Sequence, residues 1–408
     1  MMSMLDQLPA RGAGRWNRNL VVCTLGTFTT IVAMTLLLPF LPVYVQELGV
    51  SGHAAIAEWS GLAYGATFFT AALTAPLWGR LADRFGRKLM LIRASLGMAI
   101  AMSLIGMAHN VMELVVLRLL AGLLGGYASG CMALIAAQTP KERAGWALGV
   151  VTTGNMAGNL AGPLIGGTLP PIIGIRATFL LAGAVIFVTF LATTFLIREE
   201  RRPVLVARKK SGGRWAQIPQ KGPVAVMLAT GFLLMFANMS IEPIITVYVA
   251  QLVPQKHVIF VAGLVMAAAA LGAVLSSSRL GHLADRIGYR PVISACLGIA
   301  AMLLIPQAFV TAGWQLILLR FLMGLALGGL IPCIAAVIRH SVPQEMLAGM
   351  LGYSISSQYA GQVLGPLGGG FIGGHVGMSA VFLITSGLMA VGAGINWLTA
   401  RAPTDKEA

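Results

Sequence analysis

Twelve times along this 408-residue chain a nearly uninterrupted apolar run reaches about 20 residues. A helix of that length crosses the ~30 Å hydrocarbon layer of a bilayer, where backbone groups must be satisfied inside the segment. The runs are 20–45, 59–78, 89–108, 114–136, 145–169 and 177–197, then 224–249, 258–276, 292–310, 316–338, 347–372 and 378–400. Only 10% of the residues are charged and 57% are hydrophobic. A soluble domain carries roughly 25% charged residues in its shell, so the solvent of this chain is lipid. The expected fold is all-α and integral to the membrane, with twelve transmembrane helices.

The net charge of +15 suits a nucleic-acid binder until the charges are placed. With the connections numbered from the N-terminus, 24 of the 28 Lys and Arg fall on one side of the twelve runs. Arg176 and Lys256 lie on the other side, and Arg118 and Arg320 lie inside runs. Such asymmetry predicts cytoplasmic termini and argues against nucleic acid as a partner. Arg11, Arg15 and Arg18 precede the first run as in a signal peptide, but the run is too long and lacks a small-residue cleavage site, so it reads as a retained helix. Cys23, Cys131, Cys296 and Cys333 sit in apolar segments with no CxxC spacing and no His partner. They read as small buried hydrophobes rather than a disulfide frame or metal site.

The chain also repeats itself. Gly79-Arg-Leu-Ala-Asp83-Arg84-Phe-Gly86 returns 202 positions later as Gly281-His-Leu-Ala-Asp285-Arg286-Ile-Gly288. Arg118 matches Arg320 at the same offset, Gly162-Pro163 matches Gly365-Pro366 at 203, and Pro39 matches Pro243 at 204. Eight basic residues mark the segment from Arg198 to Lys221 between the copies. The expected organisation is a six-helix bundle at 1–197, a cytoplasmic linker at 198–223 and a second bundle at 224–408. Two like-oriented bundles form a parallel repeat, with a substrate site between them near mid-membrane and alternating access as the mode of action.

Gly79 to Lys88 sets Asp83 among Arg80, Arg84, Arg87 and Lys88, with Gly86 available for a tight turn. This segment resembles the signature GxLaDrxGrkxxl of the major facilitator superfamily. In the fifth run Gly154, Gly158, Gly162 and Gly166 recur every four residues, as do Gly361, Gly365, Gly369 and Gly373 in the eleventh. Each set makes a smooth face for close helix packing. Gly158 to Gly167 further resembles the antiporter motif gxxxGPxxGG, and Leu117-Arg118-Leu-Leu-Ala-Gly122 resembles the family's fourth-helix motif. Over nearly its whole length the chain is similar to the twelve-helix drug:proton antiporters, in their MdtG-like multidrug-exporter branch. The resemblance implies a monomeric carrier of the bacterial inner membrane that exchanges protons for small amphipathic molecules, without a cofactor. It implies that Asp83, Arg84 and Arg87 latch the cytoplasmic ends and favour the outward-open state. Gly86, Asp285, Arg286, Gly162 and Pro163 join them as gating candidates. Tyr289 replaces a basic residue in the second copy, so a weaker latch is expected there. Pro163 removes a backbone donor and lets its helix bend.

The resemblance implicates Arg118 in proton coupling, and its place inside a run excludes a lipid-facing position. Glu242 is the one acid well inside an apolar run, and it stands where the first half has Leu38. Its depth matches that of Arg118, so an ion pair across the cavity is expected, with Glu242 carrying the exchanged proton. Glu47, Glu58 and Glu113 are the next candidates. Asn155 and Asn159 match Gln358 and Gln362, and buried amides read first as glue between helices. Asn155, Gln358, Tyr359, Met235 and Asn238 are the candidates for substrate contact. No Gly-Lys dipeptide occurs, which removes the P-loop route to ATP. A proton falling through ~100 mV and one pH unit supplies about 3.7 kcal/mol, enough for a roughly 500-fold substrate gradient. Rival readings are a dedicated exporter of one siderophore, sugar or amino acid, a lipid flippase, and a transport-silent sensor.

Overall fold

The computed structural model describes residues 13–199 and 221–401, all helix and connection with no strand among them. The expected linker lies largely outside the described residues. The first half comprises α1 (Ala13–Thr35), α2 (Leu41–Glu47), α3 (His53–Phe85), α4 (Arg87–Ile105), α5 (Val111–Leu124), α6 (Tyr127–Gln138), α7 (Lys141–Thr168), α8 (Pro170–Ile173) and α9 (Ile175–Leu196). The second comprises α10 (Lys221–Val249), α11 (Val258–Ile287), α12 (Tyr289–Gln307), α13 (Gly313–Leu327), α14 (Leu330–Ser341), α15 (Gln344–His375) and α16 (Met378–Arg401). Nine spans among the described residues are long and apolar enough to cross a membrane. The helices α3, α7 and α15 are comparably long, at 33, 28 and 32 residues, but carry the charged, Gly-rich or amide-bearing segments. Counting them, the chain is a twelve-helix, multi-pass membrane protein.

Several expected spans are broken or extended. The first crossing stops at Thr35, turns through 36–40 and resumes as α2, whereas α10 passes through the matching Pro243 unbroken. The first half has a second proline, Pro42, where the second half has Thr246. The break frees the Pro39 carbonyl, and the Thr246 hydroxyl donates to it across the halves at 2.9 Å. The fourth crossing divides at Gly125-Gly126 and the tenth at Gly328-Gly329. Gly126 has φ +102, which an L side chain rarely adopts. The two motif helices run well past the apolar limit, α3 to Phe85 and α11 to Ile287, and each ends at a glycine of positive φ, Gly86 (+98) or Gly288 (+96).

Inside each half the glycine faces serve close packing. Gly154, Gly158, Gly162 and Gly166 of α7 lie on Thr24, Ile31, Thr35 and Leu36 of the first crossing. Gly361, Gly365 and Gly369 of α15 lie against the α10 backbone at Phe232, Phe236 and Ser240. All four cysteines are buried and free.

The halves meet at α3 with α15 and at α7 with α11. Gly61 faces the Pro366 carbonyl and Gly263 faces the Pro163 carbonyl, so one contact occurs twice by the repeat. Gly370 adds contact with Ala57, and Gly374 with Ala54. These crossings close the end away from the Gly86 and Gly288 turns, here termed the far end. At the opposite, basic end, a Cβ added at Gly145, Gly149, Gly349 or Gly352 would meet nothing within 4 Å. A cleft of about 410 Å³ separates α3 from α15 there, between Pro76 and Tyr353. The molecule is closed at the far end and open at the basic end.

Candidate functional site

Between the halves lies a cavity of about 820 Å³ lined by side chains of both. On α10, Met235, Asn238, Met239 and Glu242 follow one another at helical spacing, so a single stripe of that helix faces the space. From α3 come Tyr64 and Phe68, from α5 Arg118, from α13 Arg320 and Met323, and from α15 Gln358, Tyr359 and Gln362. Seven methionines line it, and their flexible thioethers adapt to apolar bodies of varied shape. All five expected substrate-contact residues, Asn155, Gln358, Tyr359, Met235 and Asn238, are on this lining.

The amides depart from the expectation of glue between helices. Asn159 donates to the Asn155 side chain at 2.8 Å within α7, and Gln358 to Ser354 at 3.3 Å within α15. Gln362 alone reaches another helix, at the Met235 sulfur 3.6 Å away. The register of α7 and α15 turns the glycines to the neighbouring helix and the amides to the cavity.

Glu242 also differs from its expected pairing with Arg118. Its Oε2 accepts the Tyr64 hydroxyl at 2.6 Å, and no ion pair to either arginine is formed among the described residues. The Arg118 guanidinium stands 5.9 Å from the Tyr64 ring centre, and its Nε donates to the Ala63 carbonyl at 3.3 Å. Tyr64 therefore intervenes between acid and base. Arg320 lines the same cavity. Both arginines are 2% exposed, so neither faces lipid.

Tyr64 carries no local motif, but the repeat that singles out Glu242 also marks it. Its matched position holds Met266, as the position matched to Glu242 holds Leu38. Leu38 and Met266 both line the cavity. The Tyr64 and Glu242 pair thus replaces an apolar pair of the other repeat.

At the basic end Asp83 is exposed and makes no ion pair or hydrogen bond among the described residues. Arg84 lies over the Phe85 ring at 5.2 Å, and Arg87 donates to the Ala133 carbonyl. The turn at Gly86 is held by a residue that the linker assignment concealed. Glu199 accepts the backbone N–H groups of Arg87 and Lys88, each at 2.9 Å, and so satisfies free donors at the start of α4. No local spacing signals this, because the partners are more than a hundred residues apart. In the second copy Asp285 accepts the Tyr289 hydroxyl at 2.6 Å, while Arg286 is exposed. Gly162 packs on Thr35, and Pro163 lies in an unbroken α7, lining the cavity and offering its carbonyl to Gly263. Of the other acids, Glu58 meets His375 at 3.1 Å across the far end, and Glu113 is engaged locally by His109 and Asn110.

A family model described as the Major Facilitator Superfamily matches residues 23–255 and 227–408. The multidrug resistance protein MdtG of Dickeya zeae is 41% identical over 397 residues, covering 96% of this chain and 97% of that one. The protein of the same name from Salmonella arizonae is 42% identical over 385 residues, covering 94% and 95%. Among solved structures, a bacterial homologue of the human lysosomal transporter Spinster, inward-facing and unoccupied, superposes with a TM-score of 0.77 at 15% identity, covering 95% of this chain and 97% of that one. The nucleoside transporter NupG gives 0.76 at 14%, covering 93% and 99%.

Proposed function

We propose, from the premise that this chain belongs to the Major Facilitator Superfamily, that it exports amphipathic drugs in exchange for protons across the bacterial inner membrane. The basic end is then cytoplasmic, both termini lie on that side, and the state described above is the one that loads substrate from the cell. The relatives named for multidrug resistance support the substrate class, and the methionine-lined cavity suits bodies of varied shape. Residues 1–197 and 224–408 act as the two moving bodies, and the chain works as a monomer.

The observation that carries the coupling is the Tyr64 to Glu242 hydrogen bond at 2.6 Å in a cavity closed to the far end. A lone carboxylate inside a membrane protein is costly to keep charged, which makes it a natural proton carrier. Here the Tyr64 hydroxyl holds the carboxyl in place at the cavity wall. Substrate entry changes that environment and drives the proton to the cytoplasm. The two halves then rock about the Gly61 and Gly263 crossings, the far end opens, and Glu242 is protonated from outside as substrate leaves. Asp83, Arg84 and Arg87 close the basic end in that second state, in keeping with an Asp83 that makes no ion pair among the described residues in the first.

Substrate-induced proton release from purified protein in detergent tests this reading. Wild type should release protons, and Glu242→Gln should bind substrate without release. Equal release from both would move the proton site elsewhere, with Glu47, Glu58 and Glu113 next in line.

A further inference from the structure

The cavity holds two guanidinium groups and one carboxylate, and the two arginines are treated differently. Arg118 is anchored through Nε to the Ala63 carbonyl and flanked by the Tyr64 ring. Among the described residues Arg320 has no such anchor: its Nε is buried without a hydrogen-bond partner, and its Nη1 reaches the Met323 sulfur at 3.8 Å. A thioether is a weak acceptor, and a buried guanidinium donor lacking an acceptor is costly to maintain. The repeat kept the arginine but not its tether, since Val265 at the place matched to Ala63 takes no bond from it. The one nearby carboxylate, Glu242, is engaged by Tyr64 and forms no ion pair with Arg320.

We propose that Arg320 is the subsite for an acidic group on the transported molecule, so that the cavity selects amphipathic anions. The apolar body rests among Met235, Met239, Met266 and Phe68, while a carboxylate or sulfonate pairs with the Arg320 guanidinium on the cavity lining. This rests on the export reading and adds the charge of the substrate to it. An amine-bearing molecule of the same shape meets two buried cations against one acid and is disfavoured.

The test uses full-length protein in nanodiscs of zwitterionic lipid, with empty nanodiscs as blank. Three fluorescent probes share one body: 1-pyrenebutyrate, 1-pyrenebutanol and 1-pyrenebutylamine. Fluorescence anisotropy in gluconate buffer should give about tenfold tighter binding of the butyrate than of the alcohol, with the amine weakest. Arg320→Gln should bring the butyrate to the level of the alcohol, while Arg320→Lys keeps part of the preference. Should Arg320→Gln not insert, Arg320→Lys serves instead, because an ammonium without the guanidinium fork should reduce the butyrate preference several-fold. Equal wild-type affinity for butyrate and alcohol overturns the proposal and leaves export standing. So does a preference that survives Arg320→Gln or that vanishes when chloride replaces gluconate, the last marking a site for inorganic anion. Failure of all three probes to bind counts against the cavity as a substrate site, and so against the export reading as well.

Discussion

The two halves of this molecule are copies in their scaffold and strangers in their chemistry. Glycine faces, split crossings, paired arginines and the Gly-to-Pro carbonyl contacts occur in both. Tyr64 with Glu242 in one diagonal becomes Met266 with Leu38 in the other. Symmetry is retained where the halves pack against each other, and it is abandoned at the pair proposed to hold the proton. A proton site duplicated by the repeat would set two carboxylates in one small cavity, where each would oppose the charge of the other.

The sharpest way to break this contrast is Glu242→Gln, which should lower pH-driven uphill export by about 100-fold or more in proteoliposomes, the scale of a lost proton-transfer group. Unchanged export would mean that the asymmetric pair is not the coupling site. Asp83→Asn should follow, with export reduced by about tenfold at normal insertion and its repeat counterpart Asp285→Asn reduced less, since Asp285 already shares its charge with Tyr289. Equal loss in the two would restore the symmetry that Tyr289 is argued to break. Tyr64→Phe removes one hydrogen bond to a charged group and should cost several-fold to about tenfold in coupled export. Met266→Leu, at the matched position, should change little, and comparing the two measures how far the diagonals differ.

Gly61→Ala and Gly263→Ala make the opposite comparison. Each methyl group collides with a proline carbonyl of the other half, so each should raise cysteine-labelling accessibility at the far end by a few-fold, and by similar amounts. A large inequality would show that one crossing alone bears the closure. The smallest effect is expected from Pro163→Ala, which restores an N–H in an already continuous α7 and should alter exchange between open states by about twofold without harming the fold. Transport rates and labelling identical to wild type would leave that proline no gating role.

Much of this was legible in the chain. Apolar length marks a crossing because the bilayer fixes it, and the offset of 202 to 204 positions exposed the duplication. Hydropathy did not register the breaks at Thr35, Gly125-Gly126 and Gly328-Gly329, because it scores side chains, which stay apolar there, and not the pairing of the backbone. The residues singled out for substrate contact line one cavity with Glu242 and Arg118, but their hydrogen-bond partners differ from those expected. Depth along separate helices aligned Glu242 with Arg118, yet depth carries no information about which side chain stands between them, and Tyr64 does. The amides were read as structural because buried polar groups need partners, and helix register then gave Asn159 and Gln358 those partners within their own helices. Glu199 was hidden in a basic linker and became visible only where the chain folds back on the start of α4.

The crossings at the far end are made of main chain: proline carbonyls against glycines, with few side chains between them. The cavity wall is made of side chains, many on a single stripe of α10. On the proposed reading, selectivity and motion are thus written in different parts of the polypeptide, one in replaceable groups and the other in the path of the backbone. A population of cells confronted with a new toxin could then alter Met235, Asn238 or Met239 one codon at a time and search a range of substrates while the crossings stay as they are.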